Sequence, residues 1–252
     1  MADKQSLENN AWLNDKHINA VQQLISTQYK QINGFQDTRL TPFFIEKVQI
    51  WNTNKKIKFQ QAPCAQIHFD GNSHWVSSFS TEQGVVYYMD SLGENLKHLK
   101  FNIQIQLSQI YTHKNIQVKI PRIHQQPNSH DCGLFAIANT VEFCENPSNL
   151  NFNYTFSVDK MRPHLVSCLE NGQIKPFPKD KSTTRSSAFT GIPKIIKMGD
   201  RRCQCGMPDF VQNMVGCESR KCSKWFHFKC VGIKTISKPI PWQCPSCNYE
   251  HS

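Results

Sequence analysis

Gln126-Pro-Asn-Ser-His-Asp-Cys-Gly-Leu-Phe-Ala-Ile-Ala-Asn-Thr-Val-Glu-Phe143 joins a polar loop to an apolar run. The run from Cys132 to Phe143 is apolar on most sides, the pattern of a helix buried at the centre of a domain. Cys132 stands where the loop enters that helix, with Asp131 or Ser129 as the expected cap. A thiol there meets the positive end of the helix dipole, which favours the thiolate.

Around this helix the periodicities alternate between two kinds. Apolar residues at 18, 21, 24 and 25 share one helical face within Trp12–Ile25, with Asn14 or Asp15 as the cap. Short strands are expected at 65–69, 74–79, 85–89 and 117–120, with turns at Asp70-Gly-Asn-Ser and Gln83-Gly. A further helix is expected over 96–111. The fold class is therefore α+β.

A reactive thiolate needs a base and a group to orient that base. His74 opens one expected strand and Asp90 closes the next, so both can reach one end of a sheet. Gln126 lies six residues before Cys132, where its amide can serve a developing oxyanion together with the Cys132 N–H. Read from the residues, this is a thiol hydrolase with His74, Asp90, Gln126 and Cys132 at its centre. His68, His124 and His130 are the alternative bases, and Cys64, Cys144 and Cys168 read as structural thiols.

Trp12-Leu-Asn-Asp15, His74-Trp75, Asp90-Ser-Leu92 and Gln126-Pro-Asn-Ser-His-Asp-Cys-Gly133 together resemble the motifs of the ubiquitin-like-protein (SUMO) proteases, whose superfamily includes the adenovirus-type maturation proteases. The resemblance spans about residues 10–170. It implies a papain-like, adenain-like cysteine protease core with Cys132 as nucleophile, His74 as general base, Asp90 as its orienter and Gln126 at the oxyanion hole. It also implies that Trp12 and Trp75 bind substrate, Trp75 roofing a slot that only a Gly-Gly-like end can pass. The substrate expected is SUMO or its conjugates. The alternatives are a maturation protease cutting viral or mobile-element polyproteins, and a non-catalytic chromatin adaptor. No cofactor is expected in this unit. Residues 26–60 are rich in Gln, Asn and Lys and match nothing in the family pattern.

Charge and cysteine divide the chain. Of the net +10, residues 1–174 carry +1, residues 175–202 carry +6 and residues 203–252 carry +3. Seven of the 11 cysteines fall between Cys203 and Cys247. The divisions expected are a peptidase domain over 1–174, a basic flexible linker over 175–199 and a zinc-stapled finger over 200–250. No apolar run reaches the roughly 18 residues of a membrane span, and the polar start reads as lacking a secretory signal. An odd cysteine count in such a chain favours metal or catalytic work over disulfides.

The ligand order Cys203, Cys205, Cys217, Cys222, His227, Cys230, Cys244 and Cys247 has the spacing of two tetrahedral zinc sites. With its histidine fifth and Trp242 two residues before Cys244, it resembles a PHD finger. That resemblance implies interleaved ligation of two Zn2+ ions: Cys203, Cys205, His227 and Cys230 at one, Cys217, Cys222, Cys244 and Cys247 at the other. It further implies a methylated histone tail as partner, with Trp225, Phe210 and Met214 as walls of an aromatic cage, Glu218 as a partner for a tail arginine, and nuclear residence. Packing of Phe210 and Met214 inside the finger is the competing reading. The finger's basic charge keeps a DNA contact open.

Overall fold

The computed structural model describes residues 7, 11–40, 44–45, 48–49, 61–93, 96–111, 113, 115–180, 193–235 and 241–248. Strands β1 (Asn33–Gly34), β4 (Cys64–Phe69), β5 (Trp75–Glu82), β6 (Val85–Met89), β7 (Gln117–Ile120) and β8 (Lys194–Lys197) form one six-stranded sheet in that order. The β4–β5, β5–β6 and β7–β8 pairs are antiparallel, while β1–β4 and β6–β7 are parallel. A separate hairpin pairs β2 (Phe44–Ile45) with β3 (Val48–Gln49).

Helices α1 (Asp15–Gln28), α3 (Cys132–Glu145) and α4 (Val158–Asn171) cover one face of this sheet, and α2 (Phe101–Ile110) covers the other. Strand residues alternate between the two cores as a period of two requires: Trp75 and Phe79 join the α3 side, Val76 the α2 side. Phe79 stacks on Phe143 of α3 with ring centroids 4.2 Å apart. The expected buried central helix is α3, on which only Glu142 and Glu145 escape burial.

Local chemistry sets the helix starts differently from expectation. Asn14 does cap α1, its side chain accepting from the His17 N–H while the His17 ring accepts from the Asn14 N–H. Asp131 occupies the N-cap position of α3 but makes no side-chain cap bond. Its carboxylate is instead gripped by Arg162 of α4, at 2.6 and 2.9 Å, and by the Asn128 amide. Helix α2 starts at Phe101, later than the expected 96, since residues 97–100 form bends and extended chain.

Two stretches of the expected linker, 175–199, pack against the peptidase unit. Phe177 is buried in the α3-side core, and Phe156 bridges to Lys179. At the far end of the expected linker, Lys194–Lys197 pairs with β7 as the sheet's edge strand. Composition misleads here because one buried phenylalanine and one short strand outweigh many exposed lysines. The middle of that linker, 181–192, lies outside the described residues.

The Asp131–Arg162 pair is buried on both sides, and Arg162 also donates to the Leu7 carbonyl. Arg162→Met leaves the carboxylate buried without its cation. A loss of about 3–5 kcal/mol of unfolding free energy is expected, measured by urea denaturation.

Candidate active site

Asp70 builds the turn that delivers His74. Its Oδ1 accepts the backbone N–H groups of Asn72, Ser73 and His74 at 2.9 to 3.1 Å, and Lys100 binds its other oxygen. Gly71 takes φ 86° inside this turn, a conformation glycine adopts without strain. His74 thus sits one residue ahead of β5, and Asp90 one residue beyond β6. The β5–β6 register, Ser77 opposite Met89, sets the entry of one strand beside the exit of the other.

His74 Nε2 lies 2.7 Å from Asp90 Oδ1, and both side chains are buried. A carboxylate can only accept, so Nε2 carries the proton and Nδ1 is left for another partner. Among the described residues Nδ1 has no bond of ordinary geometry, yet the Cys132 thiol interacts with the ring as a hydrogen-bonding neighbour. Nδ1 is thus the ring nitrogen left for the Cys132 thiol. Burial opposes charge on His74, but Asp90 and then Cys132 outweigh it and hold the pKa up at about 9. Asp90 also resists burial: the His74 bond, the Leu92 N–H and the Tyr88 hydroxyl hold its pKa below the ordinary value.

The alternative bases are occupied elsewhere. His68 sits between Gln106 and Ser78, and burial pushes its pKa down to about 4 against the Gln106 bond. His124 accepts the Phe156 N–H, and His130 lies beside the Asp131 carboxylate. Gln126 is buried beside Ser91 with its amide engaged, Nε2 donating to the Asn128 carbonyl and Oε1 accepting from Ser91, each at 2.6 Å. Trp75 is buried, its indole N–H donating to the Leu13 carbonyl. A Cβ on Gly133 would stand 3.0 Å from Leu13 Cβ and 3.3 Å from the Trp75 ring, so that glycine lets both press on the start of α3. Trp12 is half exposed, at 50%.

Three residues here were not foreseen. Gly93 lies against Asp90, where a Cβ would come within 2.7 Å of the carboxylate carbon. Ser91 and Arg162 hold Gln126 and Asp131. A glycine three residues past a strand-end Asp is a readable signal; the other two acquire meaning only through distant partners.

In the C-terminal unit, β9 (Met214–Gly216) pairs with β10 (Trp225–His227). The ligand atoms of Cys203, Cys205, His227 and Cys230 cluster within 4.8 Å of one another, as do those of Cys217, Cys222, Cys244 and Cys247. This is the interleaved pairing expected. Cys222 and Cys244 sulfurs stand 3.9 Å apart, near the edge of about 3.8 Å that a tetrahedron with 2.3 Å metal–sulfur bonds requires. His227 Nε2 donates to the Pro208 carbonyl, which leaves Nδ1, 3.3 Å from the Cys205 sulfur, as the ligating nitrogen. Both clusters are therefore compatible with zinc.

The aromatic residues do not converge as the cage reading expects. Phe210 turns to Phe101 of α2, ring centroids 5.2 Å apart. Trp225, 37% exposed, lies over Gly216 with the Arg202 guanidinium 4.4 Å from its ring centroid, and Asp209 holds that arginine. Met214 packs with the finger's own small core, and the Glu218 N–H donates to the Trp242 carbonyl.

Two family models match. That of the Ulp1 protease family, C-terminal catalytic domain, covers residues 11–173, and that of the PHD-finger covers 203–247. Among curated proteins, the Inhibitor of growth protein 1 homolog of Dictyostelium discoideum is 46% identical over 46 residues, 18% of this chain. The chain spans only 14% of that relative's length. Among solved structures, the SUMO protease Ulp1 with its catalytic cysteine oxidized to a sulfenic acid aligns at 19% identity and TM-score 0.48, over 68% of this chain and 82% of that one. The C-terminal Ulp1 protease domain in complex with Smt3, the yeast ortholog of SUMO, aligns at 19% identity and TM-score 0.46, over 68% and 81%. With its family match covering more than half of its length, and a buried imidazole standing between a carboxylate and a helix-entry thiol, the chain belongs to the Ulp1 protease family of cysteine peptidases.

Proposed function

We propose that the chain cleaves the bond after the C-terminal glycine of a SUMO-type modifier, and that its finger brings this activity to chromatin in the nucleus. The observation that carries the reading is the 2.7 Å His74–Asp90 contact with the Cys132 thiol on the ring's other side. The proton of the Cys132 thiol rests on His74 Nδ1 in the charged ring, and the thiolate attacks the scissile carbonyl. Electron density passes to the carbonyl oxygen, where the Cys132 N–H and the Gln126 amide receive it. The imidazolium then gives its proton to the departing amine, leaving an acyl-enzyme. Water, deprotonated by the same ring, releases the modifier's carboxylate and restores the thiol. Asp90 stays ionised throughout and stabilises the imidazolium.

A SUMO electrophile with a C-terminal vinyl or propargyl warhead is expected to label the wild type at Cys132 and to leave Cys132→Ala unlabelled, by intact mass. Reaction with no ubiquitin-like probe would sink the SUMO reading in favour of a peptide-loop specificity. A His74 pKa near 9 keeps the leaving-group acid charged at neutral pH. Hydrolysis therefore falls as pH rises through about 9. Asp90→Asn removes what raises that pKa, so the alkaline limb moves to lower pH, read from kcat/KM profiles.

For the finger, we take the two clusters to hold one Zn2+ each, since a chain this short has little core without such ties. Zinc supplies fold, not chemistry, here. The proposed ligand is a methylated histone tail, whose ammonium would lie on Trp225. Arg202 already covers that face, so the tail must displace it. Arg202→Ala is expected to raise affinity for a trimethyl-lysine tail peptide several-fold, the scale of a cation–π contact of about 0.5–2 kcal/mol, and Trp225→Ala to abolish it. Calorimetric titration checks both.

A further inference from the structure

Ser91 follows Asp90 directly and is buried, at 4% exposure, beside Gln126 at 6%. Two bonds join them. The Gln126 backbone N–H donates to the Ser91 carbonyl at 3.0 Å, and the Ser91 hydroxyl lies 2.6 Å from Gln126 Oε1. The sense of the amide follows from its other end. A carbonyl oxygen only accepts, so the atom 2.6 Å from the Asn128 carbonyl must be the NH2 group. The end facing Ser91 is then the oxygen, and the hydroxyl donates to it. An amide anchored at both ends has a fixed plane, and the second N–H of its nitrogen is not used by Asn128.

From this geometry we infer that Ser91 is a positioning residue: its hydroxyl sets the plane of the Gln126 amide so that the second N–H meets the oxyanion formed at Cys132. The inference rests on the proposed role of Gln126. It assigns successive residues to the two halves of the site, Asp90 to the base and Ser91 to the oxyanion donor. Removing the hydroxyl leaves the donor present but held only through its bond to the Asn128 carbonyl. A misaimed donor weakens transition-state binding without touching the thiol–imidazole pair.

The test uses the full chain and whichever Gly-Gly coumarin amide, SUMO-based or peptide, the wild type turns over fastest. Loss of an oxyanion donor costs about 10²–10³ in kcat, so Gln126→Ala should lose that much and Ser91→Ala about 10-fold. KM should change little in either. Iodoacetamide labelling at Cys132, mapped by mass, needs no oxyanion donor and should keep its wild-type rate and pH profile in Ser91→Ala. Ser91→Thr, which keeps the hydroxyl, should recover most of the loss. In the Gln126→Ala background, adding Ser91→Ala should change kcat less than about twofold, because contacts acting through one group are not additive. A slow Gln126→Ala beside a full-rate Ser91→Ala overturns the inference alone. So does a Ser91→Ala loss that persists undiminished in the double variant, or one accompanied by slower labelling at Cys132. A full-rate Gln126→Ala overturns the oxyanion reading and this inference with it.

Discussion

Placing an ionised carboxylate out of water is the constraint to which the peptidase unit answers. Asp90 loses most of its hydration, and a buried charge persists only where fixed dipoles or an opposite charge replace that water. Here the Leu92 N–H, the Tyr88 hydroxyl and the His74 ring do so. Each depends on a larger element: Leu92 on the turn after β6, Tyr88 on β6 itself, His74 on the Asp70 turn. The thiol benefits only indirectly. Asp90 keeps the ring protonated at Nε2 and oriented, which leaves Nδ1 for the Cys132 thiol. Gly93 completes the arrangement by omission, since any side chain would press against the carboxylate.

The loop before α3 is braced in a similar way from the opposite direction. Asp131 is the N-cap residue by position, yet its carboxylate serves Arg162 of α4 rather than the helix. The first N–H groups of α3, Cys132 among them, therefore have no side-chain cap from it, and the first turns of a helix leave such donors without intrahelical partners. Those donors are what an oxyanion needs. A conventional cap would satisfy them and weaken the dipole at the very end where the thiol stands. The ion pair thus fixes the loop while keeping the helix end available.

What sequence reading could reach divides along the range of the interactions. The helix at Cys132, the paired strands around Asp70-Gly-Asn-Ser and the two metal clusters were legible, because periodicity, turn chemistry and ligand spacing are local. His74 and Asp90 were legible as strand-end residues, while their pairing out of four available histidines came from the family pattern. Arg162 and Ser91 were not, for their partners lie 31 and 35 residues away. The contacts at the two ends of the expected linker were hidden for the same reason. Phe177 looks like a stray among prolines and lysines until the core that receives it is built. Lys-Ile-Ile-Lys reads as a solvated stretch until β7 is present to pair with it. Lysines at both ends of an edge strand also discourage further strand addition.

The aromatic residues of the finger show what that edge strand entails. Only residues 198–202 separate β8 from the first metal ligand, Cys203, so the finger begins almost where the sheet ends. Phe210 then packs on Phe101, and Arg201 reaches the Tyr111 carbonyl at the end of α2. Phe210 stays 42% exposed beside Phe101. Docked, that ring is committed to the peptidase, and Arg202, next to the bridging Arg201, is held by Asp209 over Trp225. Two of the three side chains expected to form a cage are thereby tied to the junction rather than to each other. Any use of the Phe210 ring by the finger and its packing on α2 therefore draw on the same side chain.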